Sequence, residues 1–188
     1  MTSESVSQKE VNAALSKLEE AINGLEKKRP TEPVAAPTDQ SQIVHITSQS
    51  QLENCTSLSD SDKYYILDSD ISLDNWYWNF DTLQGVFDGN GHTITFHSSG
   101  TGLFAKIGKN GVVQNVHFAG ALSSSADTGA CGMEVQGSIM NCYSEISGSN
   151  ASGFTKRLNG GLISNCYSIS TAEDGVIIEQ TETAVLIE

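Results

Sequence analysis

A six-residue pattern recurs in the second half of the chain and restricts the possible folds more than any other feature. Residues 111–116 read GVVQNV, residues 137–142 GSIMNC and residues 161–166 GLISNC, so G-x-[VI]-x-N-[VC] returns at offsets of 26 and 24 residues. The match runs on as Cys-Tyr-Ser after both Asn141 and Asn165. His92-Thr93-Ile94-Thr95 reads as a looser copy one rung earlier. A second short element precedes each copy, at Gly102-Leu103-Phe104, Gly132-Met133-Glu134 and Gly153-Phe154-Thr155, and Gly175-Val176-Ile177 opens another. Short strands at this period, separated by Gly, Ser or Asn and with no helical spacing between them, mark a stack of β-coils.

Coils of this kind stack about 4.8 Å apart, so equivalent positions form columns. Ile94, Val113, Ile139 and Ile163 are expected as one inward aliphatic column, and Val116, Cys142 and Cys166 as another. Asn115, Asn141 and Asn165 fall between the two, where the chain turns. Their amides are expected to bond one another in a ladder, because a buried amide is costly when left unpaired. Asn150 reads as an ordinary surface residue. The coil edges need covers, since open strand edges template association. Residues 43–46 read as a strand and residues 47–55 as a short helix with Thr47 as its cap, together closing the N-terminal end. Residues 176–178 and 184–187 read as strands without a later cap, so the last coil is expected either to meet a partner subunit or to continue in a longer protein.

The beginning of the chain follows a different rule. Ser7 and Glu10 have capping-box spacing. Val11, Leu15, Leu18, Ile22 and Leu25 then follow at steps of 4, 3, 4 and 3, a coiled-coil seam. An isolated helix of this length is marginal in water, so its stripe needs a partner. Self-association is expected, with a trimer as the working stoichiometry. Pro33 and Pro37 lie in a polar stretch that reads as extended and mobile. The expected organisation is an oligomerising helix over residues 1–29, a Pro-containing linker over 30–42 and a β-coil domain over 43–188.

Composition excludes several classes of partner. The formal net charge is -13, which opposes binding to nucleic acid or to anionic lipid. No apolar run reaches the ~20 residues of a membrane span, and residues 1–5 lack the basic start of a secretory signal. Cys55, Cys131, Cys142 and Cys166 contain no C-x-x-C pair. They are expected as reduced, buried thiols and not as metal ligands. No metal or other cofactor is expected.

The segment FDGNGHTI at residues 87–94, followed by Gly102-Leu103-Phe104 and the G-x-[VI]-x-N-[VC] copies, resembles right-handed parallel β-helix proteins with GLUG-type repeats, within the pectate-lyase-like superfamily. Residues 65–73 are similar to the first coil of such proteins. The resemblance covers residues 43–188 and implies an all-β, right-handed parallel β-helix of about five short coils. The match departs at residues 130–133 and at Ala105.

No catalytic set is expected. Asp68, Asp70 and Asp74 read as alternating residues of one strand, but few basic residues accompany them. Asp88 belongs to the DGNG turn. His45, His92, His97 and His117 lack metal-ligand spacing and read as outward surface residues. Trp76 and Trp78, which are both tryptophans of the chain, and Tyr143 and Tyr167, one coil apart, are the candidate contacts for a ligand or partner. The combination resembles phage head or tail fibres. The functional expectation is a structural virion protein, a fibre or capsid-decorating protein that meets capsid or tail proteins and host surface glycans. A microbial surface adhesin, which would be extracellular, and a polysaccharide-binding or depolymerising β-helix are the alternatives.

Overall fold

The computed structural model describes residues 12, 14, 17, 32–55, 58–77, 82–122, 128–169, 177–180 and 185–187. Among these, every strand pairing is parallel, and the strands form a β-solenoid of about five coils. The first coil holds β1 (Ile43–Ile46) and a five-residue helix α1 (Gln49–Glu53). The second holds β2 (Tyr64–Leu67) and β3 (Ile71–Asp74). The third adds a third side: β4 (Val86–Asp88), β5 (Thr93–Ser99) and β6 (Phe104–Ile107). The next coil holds β7 (Val112–Gln114), β8 (His117–Leu122), β9 (Thr128–Gly129) and β10 (Gly132–Val135). Its successor repeats this with β11 (Ser138–Met140), β12 (Tyr143–Ser147), β13 (Ala151–Ser152) and β14 (Thr155–Leu158). Then come β15 (Leu162–Ser164), β16 (Tyr167–Ser168), β17 (Ile177–Gln180) and β18 (Val185–Ile187).

Stacking produces sheet A from β1, β2, β4, β7, β11, β15 and β18. Sheet B is β3, β5, β8, β12 and β16, and sheet C is β6, β10, β14 and β17. Strand side chains alternate between faces. On sheet A the inward column is Tyr65, Phe87, Val113, Ile139 and Ile163, all fully buried. Val116, Cys142 and Cys166 pack beside it at the next corner. All four cysteines are free.

Two expected alignments shift by whole elements. Ile94 does not stack on Val113. It lies in sheet B between Ile71 and Phe118, and the sheet A position belongs to Phe87. The missed copy is Gly85-Val86-Phe87-Asp88, where an aromatic stands in the aliphatic column and Asp88 in the slot of Gln114. In sheet C, Gly132 pairs with Phe104 and Thr155 and not with Gly102. The counterpart of Gly102-Leu103 is therefore Ala130-Cys131, whose thiol fills a fully buried inward slot shared with Leu103 and Phe154.

The N-terminal cover differs in detail. Ser48, not Thr47, caps α1 and accepts from the Gln51 amide. The Gln49 side chain bonds both the amide and the carbonyl of Asp74 on the edge strand β3, and Leu52 enters the core. Residues 32–42 are not free of the solenoid: the backbone of Val34 is bonded to Gln114 and Tyr64. The expected seam residues Val11, Leu15, Leu18, Ile22 and Leu25 lie outside the described residues. Asn12, Ala14 and Lys17 are helical and exposed.

Candidate functional site

The corner between sheets A and B decides what each flank of the solenoid carries. Asn115, Asn141 and Asn165 turn the chain there with φ of 54°, 52° and 52°. Asparagine tolerates this left-handed conformation better than most side chains. The Asn165 amide donates to Asn141 Oδ1 at 2.6 Å, and the Asn141 amide to Asn115 Oδ1 at 3.4 Å. The Asn115 amide donates to Asp88 Oδ1 at 3.0 Å. A carboxylate only accepts, so Asp88 ends the series and sets its direction. Asp88 Oδ1 also accepts from the Asn90 amide at 2.7 Å, closing the DGNG turn. Its other oxygen accepts from Gln114 at 2.9 Å and from the Tyr64 hydroxyl. Burial and the adjacent Asp88 carboxylate push the Tyr64 phenol far up. These groups are consumed by structure.

Beyond the corner, the outer face of sheet B carries a column of aromatic and ionisable side chains. Thr93, His117, Tyr143 and Tyr167 occupy one outward column in register. The rings of Tyr143 and Tyr167 stack at 5.7 Å and 5°, and His117 lies 4.7 Å from Tyr143. Tyr167 is 63% exposed. Tyr143 donates its hydroxyl to Glu145, and this bond pushes its phenol up to about 12. Glu145 also lies 3.6 Å from His117 Nε2. Beside this ridge runs an open groove of about 510 Å³, lined by Thr95, His97, Gly120, Ala121, Glu145 and Ser147. The small residues Gly120 and Ala121 leave room for the groove.

A hydroxyl, an imidazole and a carboxylate thus follow one another as Thr93, His117 and Glu145, with Thr93 Oγ1 3.2 Å from His117 Nδ1. The neighbouring amides are already committed. Those of Thr93, His117 and Tyr143 donate to Asp70 Oδ1, the His92 carbonyl and the Val116 carbonyl. No pair of free backbone donors faces the Thr93 hydroxyl among these three residues.

The other candidates scatter. Trp76 is a core residue: it is 1% exposed and its indole donates to the Gly102 carbonyl at 3.1 Å. Packing and an internal hydrogen bond leave it no ligand role. Trp78 lies outside the described residues. Tyr77, between them, is 64% exposed. Asp68, Asp70 and Asp74 do not share a strand, because β2 ends at Leu67 and β3 starts at Ile71. Asp68 meets His45 at 2.8 Å and Asp70 meets His92 at 3.2 Å. The Thr93 amide and His92 hold the Asp70 carboxyl below its usual range. His117 and Glu145 were not singled out from sequence as a site, because only the coil register brings residues 28 apart onto neighbouring strands. Among the described residues no group of three or more His, Cys, Asp or Glu side chains is placed to hold a metal ion.

The fold is similar to a known structure. A putative immunoglobulin A1 protease from Bacteroides ovatus superposes with a TM-score of 0.52 at 20% sequence identity, over 78% of this chain and 65% of that one. The chain thus spans about 65% of the length of that protein. Likeness at this identity carries the coil architecture and not the chemistry. No family model and no curated protein matches the sequence.

Proposed function

We propose that the chain is a structural β-solenoid that projects from a larger assembly, a phage fibre or capsid-decorating protein, and meets a partner through the outer face of sheet B. The stacked Tyr143–Tyr167 pair beside the groove carries this reading. Exposed stacked rings next to a floor of small residues suit the flat face of a sugar or the edge of a protein partner. The ladders support it too. The asparagine series and its Asp88 end stiffen the corner, and the alternating Lys106, Glu134 and Arg157 on sheet C, with Glu134 3.0 Å from Lys106, brace another side. The net charge of -13 favours a dispersed, soluble particle. Two experiments test the proposal. Antibody against the chain is expected to decorate purified phage particles from the source culture, and unlabelled particles would overturn the virion setting. On a panel of immobilised surface glycans, Tyr143→Ala is expected to weaken any binding at least tenfold, and unchanged binding would remove sheet B from the interaction.

A hydrolytic reading rests on the Thr93–His117–Glu145 series and on the name of the structurally similar Bacteroides protein. Incubation with capsular and pectic polysaccharides and with immunoglobulin A1 separates the readings. New reducing ends, unsaturated products or cleaved heavy chain, each lost in His117→Ala, would establish hydrolysis or elimination and overturn the structural proposal.

A further inference from the structure

Part of the outward face of sheet A is buried although it points away from the core. Alternation places Tyr64, Val112, Ser138, Met140 and Leu162 on the face opposite Tyr65, Phe87, Val113, Ile139 and Ile163. Tyr64, Val112, Ser138, Met140 and Leu162 are only 4%, 2%, 0%, 1% and 5% exposed, and none belongs to the solenoid core cluster. The Ser138 hydroxyl is buried without a hydrogen-bond partner among the described residues. One end of the cover is visible. Val34 donates its amide to Gln114 Oε1 at 2.8 Å, and its carbonyl accepts from Gln114 Nε2 at 2.9 Å and from the Tyr64 hydroxyl at 3.2 Å. The Gln114 side chain thereby treats the Val34 backbone as a neighbouring strand would, and Asp88 holds both Gln114 and Tyr64 in place.

We infer that the apolar stripe Val11, Leu15, Leu18, Ile22 and Leu25 is the cover, laid along the outer face of sheet A of its own chain and fastened there by the Val34 clasp. Continuity supports this assignment. Leu25 precedes Val34 by nine residues, a tether of at most about 30 Å. The stripe as a helix is roughly 21 Å long, and the face from β2 to β15 spans four inter-strand steps, about 19 Å. The three described residues of that segment, Asn12, Ala14 and Lys17, are not stripe positions, and all are exposed. An apolar stripe and an apolar face of matching length, joined by a short tether, satisfy each other without a second copy. The inference stands apart from the reading of sheet B, since the two faces share no residue.

The experiment uses the full chain with Ile22→p-benzoylphenylalanine. Irradiation is expected to give a product of monomer mass whose cross-link maps to the sheet A segments 64–66, 86–88, 112–114, 138–140 or 162–164. A product of dimer mass would assign the cover to a second copy, the coiled-coil association suggested by the heptad spacing, and would overturn the inference. So would a cross-link elsewhere in the chain. A second measurement follows peroxide oxidation of Met140, with Met133 as internal reference. Leu18→Lys/Ile22→Lys is expected to speed Met140 oxidation at least about fivefold while Cys131 stays unreactive to alkylation. Unchanged protection with Cys131 still shielded would also overturn it. Should the double variant expose Cys131, the cross-link alone decides.

Discussion

The side-chain amide of Asn165 donates to Oδ1 of Asn141 at 2.6 Å across one coil of the solenoid. Both residues have φ near +52°, so each contributes a rung of the ladder and a left-handed turn at once. Removing Asn141 therefore has two costs. Asn141→Ala leaves amide groups unpaired, about 1–3 kcal/mol, and forces alanine into a left-handed turn, about 1 kcal/mol or more. Asn141→Gly keeps the turn and loses only the ladder, so it is expected to be less damaging in urea melts. Asn165→Ala, at the exposed end, should fall below Asn141→Ala. Asn150 is not the neutral surface residue read from sequence: its φ is 57°, and Asn150→Ala is expected to cost about 1 kcal/mol. Equal stability of Asn141→Ala and wild type would refute the ladder.

The corner between sheets C and A depends on glycine for lack of space. A Cβ on Gly137 would lie 2.0 Å from the Gly111 carbonyl oxygen and 2.4 Å from that of Gly108, both backbone atoms. Gly137→Ala must push neighbouring coils apart and is expected to cost at least about 2 kcal/mol. Thermal denaturation checks it, with Gly91→Ala as the comparison. Gly91 has a φ of 81° and open space around it, so only strain of about 1 kcal/mol is expected there.

Thiol reactivity should follow burial and hydrogen bonding. Burial drives the Cys131 and Cys142 thiols well up. Hydrogen bonding from Cys142, whose backbone amide donates to Cys166 Sγ at 3.4 Å, lowers Cys166 despite its own burial. Iodoacetamide on the native protein is expected to modify Cys166 first, and Cys131 and Cys142 only after unfolding. Unfolding without reductant should then yield four labelled cysteines by mass. A disulfide-linked pair would contradict the free thiols.

Acid should weaken the fold through sheet C. Partial burial pushes the Glu134 carboxyl up, but hydrogen bonds from Lys106 and Asn159 and the charges of Lys106 and Arg157 outweigh it, so the net shift is down from the usual 4.5. A group depressed in the folded state stabilises above its unfolded pKa, and that contribution disappears as pH falls through the folded value. Asp70 acts in the same direction. Melting temperature is expected to be level from pH 7 to about pH 5 and to fall below about pH 4.5. Glu134→Gln should flatten some of that fall, and an unchanged acid slope would discount the pair.

Much of the architecture was legible because a solenoid repeats its chemistry along the chain. Phase alone placed Val113, Ile139 and Ile163 in one column and the three asparagines at one corner. Legibility failed where a coil kept the shape but changed the residue. Phe87 replaces an aliphatic residue and Cys131 replaces Leu, so the copies at residues 85–88 and 130–131 were misaligned. Trp76 shows the same limit for the surface: an indole two residues after Asp74 reads equally as platform or core, and only its bond to Gly102 places it inside.

The coil period, the inward columns and the asparagine corner are written along the chain, because they follow from local alternation and a repeat that any strand stack must keep in register. Tertiary structure decided the rest. Thr93, His117, Tyr143 and Tyr167 keep the offsets of the repeat, but the meeting of His117 with Glu145, 28 residues away on the neighbouring strand, is set by the coil register. Val34 lies against Gln114, 80 residues away, because a buried amide side chain and a buried carboxylate on an outer face need partners that the solenoid's own ladder has already used.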